Sequence, residues 1–126
     1  MQNISEFGED SFALGKSAYQ SGKYREALEL LLPNAEKNNP EAQAIVGSIY
    51  FLFPIGERDL NKAIFWLEKA AENGRGDAAH NLSTLYVTCE PEMPRDTSKS
   101  KFWLRRAREL GFIVAPDEWY DSILGN

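Results

Sequence analysis

Two stretches of this chain are near copies of one another. KAIFWLEKAAENG, Lys62 to Gly74, returns as SKFWLRRARELG, Ser100 to Gly111. Asp59 aligns with Asp96, Trp66 with Trp103, Ala70 with Ala107 and Gly74 with Gly111, each pair 37 residues apart. Upstream, Ala42 aligns with Ala78, Val46 with Leu82 and Tyr50 with Tyr86 at 36 residues, so one residue is inserted between Tyr86 and Asp96. A period of this length marks stacked helical pairs. It constrains the fold strongly, because one pair cannot bury its own apolar face, whereas copies set side by side can.

Each unit is readable in physical terms. Ala42, Val46 and Tyr50 are spaced four apart and form the stripe of a first helix, A. Ala63, Leu67 and Ala70 form the stripe of a second, B, and their small side chains allow close helix approach. Asp59 and Asp96 stand where helix B needs an N-cap. Gly74 and Gly111 stand just past its end, where a left-handed residue closes the helix. The run Ala63-Ile64-Phe65-Trp66-Leu67 is apolar nearly all round, which predicts a helix covered on two sides. Lys101 replaces Ile64 in the later copy, so one face of that unit is expected to be wet.

A weaker copy lies upstream, from Leu14 to Gln43. Tyr19, Gly22, Tyr24 and Ala27 outline a helix, a glycine turn and a second helix, with Tyr19 aligned to Tyr50. Pro33 is expected to bend or restart that second helix, and Asn38-Asn39-Pro40 to end it. Helices are predicted near residues 6–20, 23–38, 41–52, 60–73, 77–87, 97–110 and 116–124.

The pattern Ala-x3-Leu/Val-Gly-x2-Tyr, then Asp-x2-Lys-Ala-x2-Trp-Leu-x-Lys-Ala-Ala-x2-Gly, resembles the Sel1-like repeat, a relative of the tetratricopeptide repeat. It is nearly complete in Ala42–Gly74. It is good in Ala78–Gly111, with Ser83 for the usual glycine and Ser100 for the alanine. Leu14–Asn39 is more similar to the tetratricopeptide form. The loops FLFPIGERD and VTCEPEMPRD depart from the family's Gly-x-Gly-Val loop. The resemblance implies an all-α fold: a right-handed α-solenoid of about three helix-turn-helix repeats (residues 9–39, 41–74 and 77–111) within a single domain spanning 1–126. The tail, 112–126, reads as a capping helix. Pro116 suits its first position, Asp117 and Glu118 suit its positive end, and Trp119, Tyr120, Ile123 and Leu124 form a stripe able to cover the solenoid's end.

Composition narrows the function classes. Net charge is −5, unevenly spread: residues 95–109 carry six basic and two acidic side chains, a local +4, and the remainder carries −9. An acidic bulk disfavours nucleic acid and favours a protein partner with a basic surface. No apolar run approaches a membrane span. The N-terminal MQNISEFGED lacks a basic, then apolar, leader pattern, and one cysteine forms no intrachain disulfide, so a cytoplasmic location is expected; the oligomeric state is left open, with a monomer favoured.

Candidates for chemistry are few. His80 is the only histidine, with Asp77 one turn before it as a helix-surface partner. Without further acid, base or ligand groups nearby it reads as a structural or binding residue. Cys89 lies nine residues on, with no paired base to activate it. The carboxylate pairs Glu9-Asp10 and Asp117-Glu118 read as helix starts. No phosphate loop, zinc spacing or nucleophile elbow is present, so no enzymatic activity, metal or cofactor is expected. What remains is the concave side, lined by the A helices. Register places there Phe12, Lys16, Tyr19 and Gln20, then Glu41, Ala44, Ser48, Phe51 and Leu52, then Asp77, His80, Thr84, Val87 and Thr88. Tyr19 and Phe51 stand out as aromatics that the core stripe does not require. The resemblance implies a protein-binding adaptor working through this groove. The alternative is a small immunity protein that neutralises a bacterial toxin, its acidic surface matching a basic one.

Overall fold

The computed structural model describes residues 4–52 and 59–125, with side chains from Ser11 onward. Among the described residues there are seven helices and no strand: α1 (Ile4–Gln20), α2 (Tyr24–Glu36), α3 (Pro40–Leu52), α4 (Leu60–Glu72), α5 (Gly76–Thr88), α6 (Thr97–Glu109) and α7 (Asp117–Leu124). Each helix packs on the next across α1 to α6, α3 also touches α5, and α7 closes on α6. This is the expected all-α solenoid: pairs α1–α2, α3–α4 and α5–α6, followed by a cap.

The helix ends follow from their residues. Asp59 and Asp96 cap α4 and α6, each carboxylate accepting a backbone N–H three residues on, from Lys62 and Lys99, at 3.0 Å. All three B helices end in a left-handed residue: Asn38 at φ 70°, Gly74 at 95° and Gly111 at 90°. Asn tolerates that region and Gly adopts it freely. The Asn39 side chain then accepts the Ala42 N–H and starts α3. Pro33 lies inside α2 without restarting it. The nearby Leu30 carbonyl accepts from the Ser11 hydroxyl at 2.7 Å and from the Asn34 side-chain amide at 3.1 Å.

Two cores share α3. Ala42, Val46 and Ile49 pack with Ala18, Ala27, Leu31 and Ala35 on one side. Ala44 and Phe51 pack with α4 and α5 on the other. A middle A helix has neighbours on both flanks, which is why Phe51 is only 5% exposed. The expectation of Phe51 as a groove aromatic is therefore corrected: it belongs to the core.

The close approaches fix the register of the first unit. A Cβ on Gly15 would lie 2.5 Å from Leu31, and one on Gly47 would lie 2.7 Å from Leu67. These glycines are equivalent, so Tyr50 corresponds to Ala18, not to Tyr19. Trp66 and Trp103 are half-buried, packing against the first and second core respectively. Helix α4 is covered on two sides, by α3 and α5, as expected, while Phe65 projects from it. In the cap, Tyr120 and Leu124 bury with Leu104, while Trp119 and Ile123 stay largely exposed, and Pro116 sits one residue before the helix. The Tyr120 hydroxyl accepts the Val114 N–H at 3.0 Å, and Arg108 lies over its ring. Helix α1 starts at Ile4, so Glu9 and Asp10 lie inside it. Most of the loop between α3 and α4 (53–58) lies outside the described residues.

Candidate functional site

The A helices α1, α3 and the start of α5 converge on a depression of about 250 Å³, lined by Lys16, Tyr19, Gln20, Glu41, Ala44, Ile45, Ser48, Arg75 and Asp77. Its floor is the surface of α3. Ala44 and Ser48 are buried and Ile45 is half-buried, so the floor is shallow and only mildly polar. Ser48 is tied across to α5, its hydroxyl accepting from the Asn81 amide at 3.0 Å.

The rim carries two ion pairs. Lys16 of α1 meets Glu41 of α3 at 3.1 Å. Arg75 meets Asp77 through two parallel bonds, Nε to Oδ1 at 3.1 Å and Nη2 to Oδ2 at 2.8 Å. That fork holds the Arg75 guanidinium protonated, above its ordinary range, with the nearby Asp77 and Glu41 charges adding to it. Asp77 Oδ1 also accepts the Ala78 N–H. Tyr19 packs edge-on against Tyr24, with ring centres 5.8 Å apart. Burial raises its pKa first, and the charges of Tyr24 and Asp77 raise it further, so its phenol stays protonated and able to donate. The depression thus carries two cations and two carboxylates around a mildly polar floor and is charge-balanced.

The fold brings together some of the expected residues and disperses others. Lys16, Tyr19, Gln20, Ala44, Ser48 and Asp77 line the depression. Phe12 packs on the first core with Lys16 Nζ 5.2 Å from its ring centre. Phe51 is in the core. His80 stacks on Phe112, with ring centres 5.1 Å apart, and Asp77 turns to Arg75 and not to His80. Burial lowers the His80 pKa. Thr84 bonds back to the His80 carbonyl at 3.3 Å, and Val87 is half-buried further along α5. Register alone missed Ile45 and Arg75. Ile45 follows Ala44 on the groove side, and Arg75 sits in the inter-unit turn after Gly74, outside any helical stripe.

The remaining chemistry is sparse. Among the described residues no cluster of His, Cys, Asp and Glu is placed to hold a metal ion, and no helix is long and apolar enough to cross a membrane. Cys89 is buried at the end of α5.

Comparison with known proteins places the chain. A family model described as Sel1 repeat matches residues 40–74 and 76–112, which are the pairs α3–α4 and α5–α6 with their closing turns. No curated protein and no solved structure matches the chain.

Proposed function

The chain belongs to the Sel1 repeat family, and from that premise we propose a non-catalytic adaptor that holds a partner protein in the groove of its A helices. Repeats of this family are generally protein–protein interaction modules. One observation supports the groove as the site: three helices from three successive units contribute side chains to a single depression with a mildly polar floor and a hydrogen-bonding rim. Tyr19 supplies a half-buried ring with a donor hydroxyl, the type of side chain that dominates binding energy at protein interfaces. A segment of a partner that lays small apolar side chains on Ala44 and Ile45 and offers backbone groups to Tyr19, Gln20 and the two ion pairs would fit it. The charge balance of the rim favours a partner of mixed polarity at this site over a strongly basic one. We place this activity in the cytoplasm.

The test is affinity capture from native lysate with the wild-type chain, followed by titration of the captured protein against variants. Tyr19→Ala and the charge reversals Lys16→Glu and Arg75→Glu should each weaken binding by more than about 1–2 kcal/mol. Glu118→Gln, on the exposed face of the cap, should leave it unchanged. Equal affinities for all four variants would remove the groove as the site. One tight, stoichiometric partner would turn the reading from adaptor to inhibitor.

A further inference from the structure

The B helices present an outer face, on the side away from the groove, whose chemistry changes from one end of the solenoid to the other. Repeat-equivalent positions on α2, α4 and α6 are Glu29, Phe65 and Phe102, followed one turn later by Pro33, Lys69 and Arg106. Phe65 and Phe102 are 51% and 55% exposed. Each ring stands edge-on against its neighbouring tryptophan, Trp66 at 4.9 Å and Trp103 at 5.0 Å between centres. Those tryptophans pack inward on the two cores, so the phenylalanines rest on fixed supports. Two exposed aromatics in the same pose on adjacent units mark a binding surface more than chance exposure does.

Charge flanks this row asymmetrically. Helix α2 exposes Glu26, Glu29 and Glu36, whereas α6 exposes Lys101, Arg105 and Arg106. Of these six, only Arg106 has an ion-pair partner among the described residues, Glu109 at 3.3 Å.

We propose that this face docks a second copy of the chain. A twofold axis running along α4 lays α6 of each copy over α2 of the other and brings the two Phe65 rings together. In such an isologous contact every complementary pair occurs twice. Lys101, Arg105 and Arg106 of one copy then meet Glu26, Glu29 and Glu36 of the other, and Phe102 is covered by the α2 face. The chain carries both halves of this complement on one surface, which argues for a second copy as the occupant over an unrelated acidic or basic protein. The arrangement leaves both grooves facing outward, so it is independent of what the groove binds.

Sedimentation velocity on the full chain tests this, from about 1 to 300 µM, the range in which a modest interface populates. The expected result is a concentration-dependent dimer whose dissociation constant rises roughly tenfold between about 50 mM and 500 mM salt, as screened charge pairs require. Phe65→Ser should abolish the dimer. Arg105→Glu with Arg106→Glu in one chain, and Glu26→Lys with Glu29→Lys in another, should each be monomeric alone. An equimolar mixture of the two should dimerise again, because each reversed α6 then faces a reversed α2. A monomer at every concentration, dimers that survive either charge reversal or Phe65→Ser, a mixture that stays monomeric, or species larger than dimers would each overturn the proposal.

Discussion

The second and third helix pairs have the same pitch and caps but hold their two helices together by different chemistry. In α3–α4 the contact is bare. Gly47 lets α4 come so close that an added Cβ would sit 2.7 Å from Leu67 Cγ and 3.0 Å from its backbone nitrogen. On the B helix, one turn before Leu67, the small side chain is that of Ala63. In α5–α6 the equivalent residues are Ser83 and Ser100, and the contact is polar. Ser100 donates to the Ser83 carbonyl at 2.8 Å, and the two hydroxyls lie 3.1 Å apart. Both serines are buried, and the pair satisfies itself. One backbone geometry therefore accepts either no side chain or a matched polar pair at its tightest point. Without Ser100 the Ser83 hydroxyl would lose that partner, whereas without the Ser83 side chain Ser100 would keep its bond to the backbone carbonyl.

The largest expected difference between the pairs lies at their equivalent leucines. Leu67 is 0% exposed within the larger core, and Leu104 is 6% exposed in the small cluster under the cap. Leu67→Ala should cost about 3–5 kcal/mol and Leu104→Ala about 2–3 kcal/mol, since the cap can settle into the space and the central core cannot. Chemical denaturation of both variants checks the order, and equal losses would show that α7 is as firmly packed as the middle of the solenoid.

A smaller effect separates the two tight contacts. Gly47→Ala forces the Leu67 turn outward and should cost about 1–3 kcal/mol. Ser100→Ala loses two hydrogen bonds but leaves no clash and should cost about 1 kcal/mol. Ser83→Gly combined with Ser100→Ala rebuilds the bare contact of the second pair, and the double variant should cost less than the two single losses added together. A thermodynamic cycle on these variants reads that coupling, and strict additivity would mean that the two serines act separately.

The smallest effect is in pH. His80 occupies the position that Ala44 holds in the second pair, so only the third carries a titrating group there. Burial against Phe112 lowers its folded pKa below the unfolded value of about 6.5. The unfolded chain then binds the proton more readily, so the stability tied to neutral His80 is complete above pH ~6.5 and is lost as pH falls toward the folded pKa. Half-exposure keeps the loss small. His80→Gln should flatten melting temperature against pH in that window, and an unchanged slope would assign the dependence to other groups.

Much of this architecture was legible because the repeat writes it twice. Ala42, Val46, Ala63 and Leu67 announce their helices by spacing, and Asp59, Asp96, Gly74 and Gly111 announce their ends. The groove was legible only in part. Phe51 reads as spare when one stripe is counted, yet a middle helix carries a second stripe toward the following pair, and periodicity within one helix cannot reveal that neighbour. The repeat register predicts Trp66 and Trp103 at equivalent buried positions, yet both rings are only half-buried, because each packs against its core from the edge. Arg75 escaped because turns have no period, and its role depends on the fork it forms with Asp77. The alignment of Tyr19 with Tyr50 is off by one residue because the first turn, between Tyr19 and Tyr24, is shorter than the later ones and spacing alone does not fix the register; Gly15 against Leu31 fixes it in three dimensions.

The claim that carries the functional reading is that the A-helix depression, and not the aromatic outer face, receives the partner. Amide chemical-shift mapping tests it directly, using ¹⁵N-labelled chain titrated with a binder selected from a random peptide library. The largest shifts should cluster at Lys16, Tyr19, Gln20, Ile45, Ser48, Arg75 and Asp77, while Phe65 and Phe102 stay in place. Shifts concentrated on Phe65, Lys69, Phe102 and Arg106, with the depression silent, would contradict it.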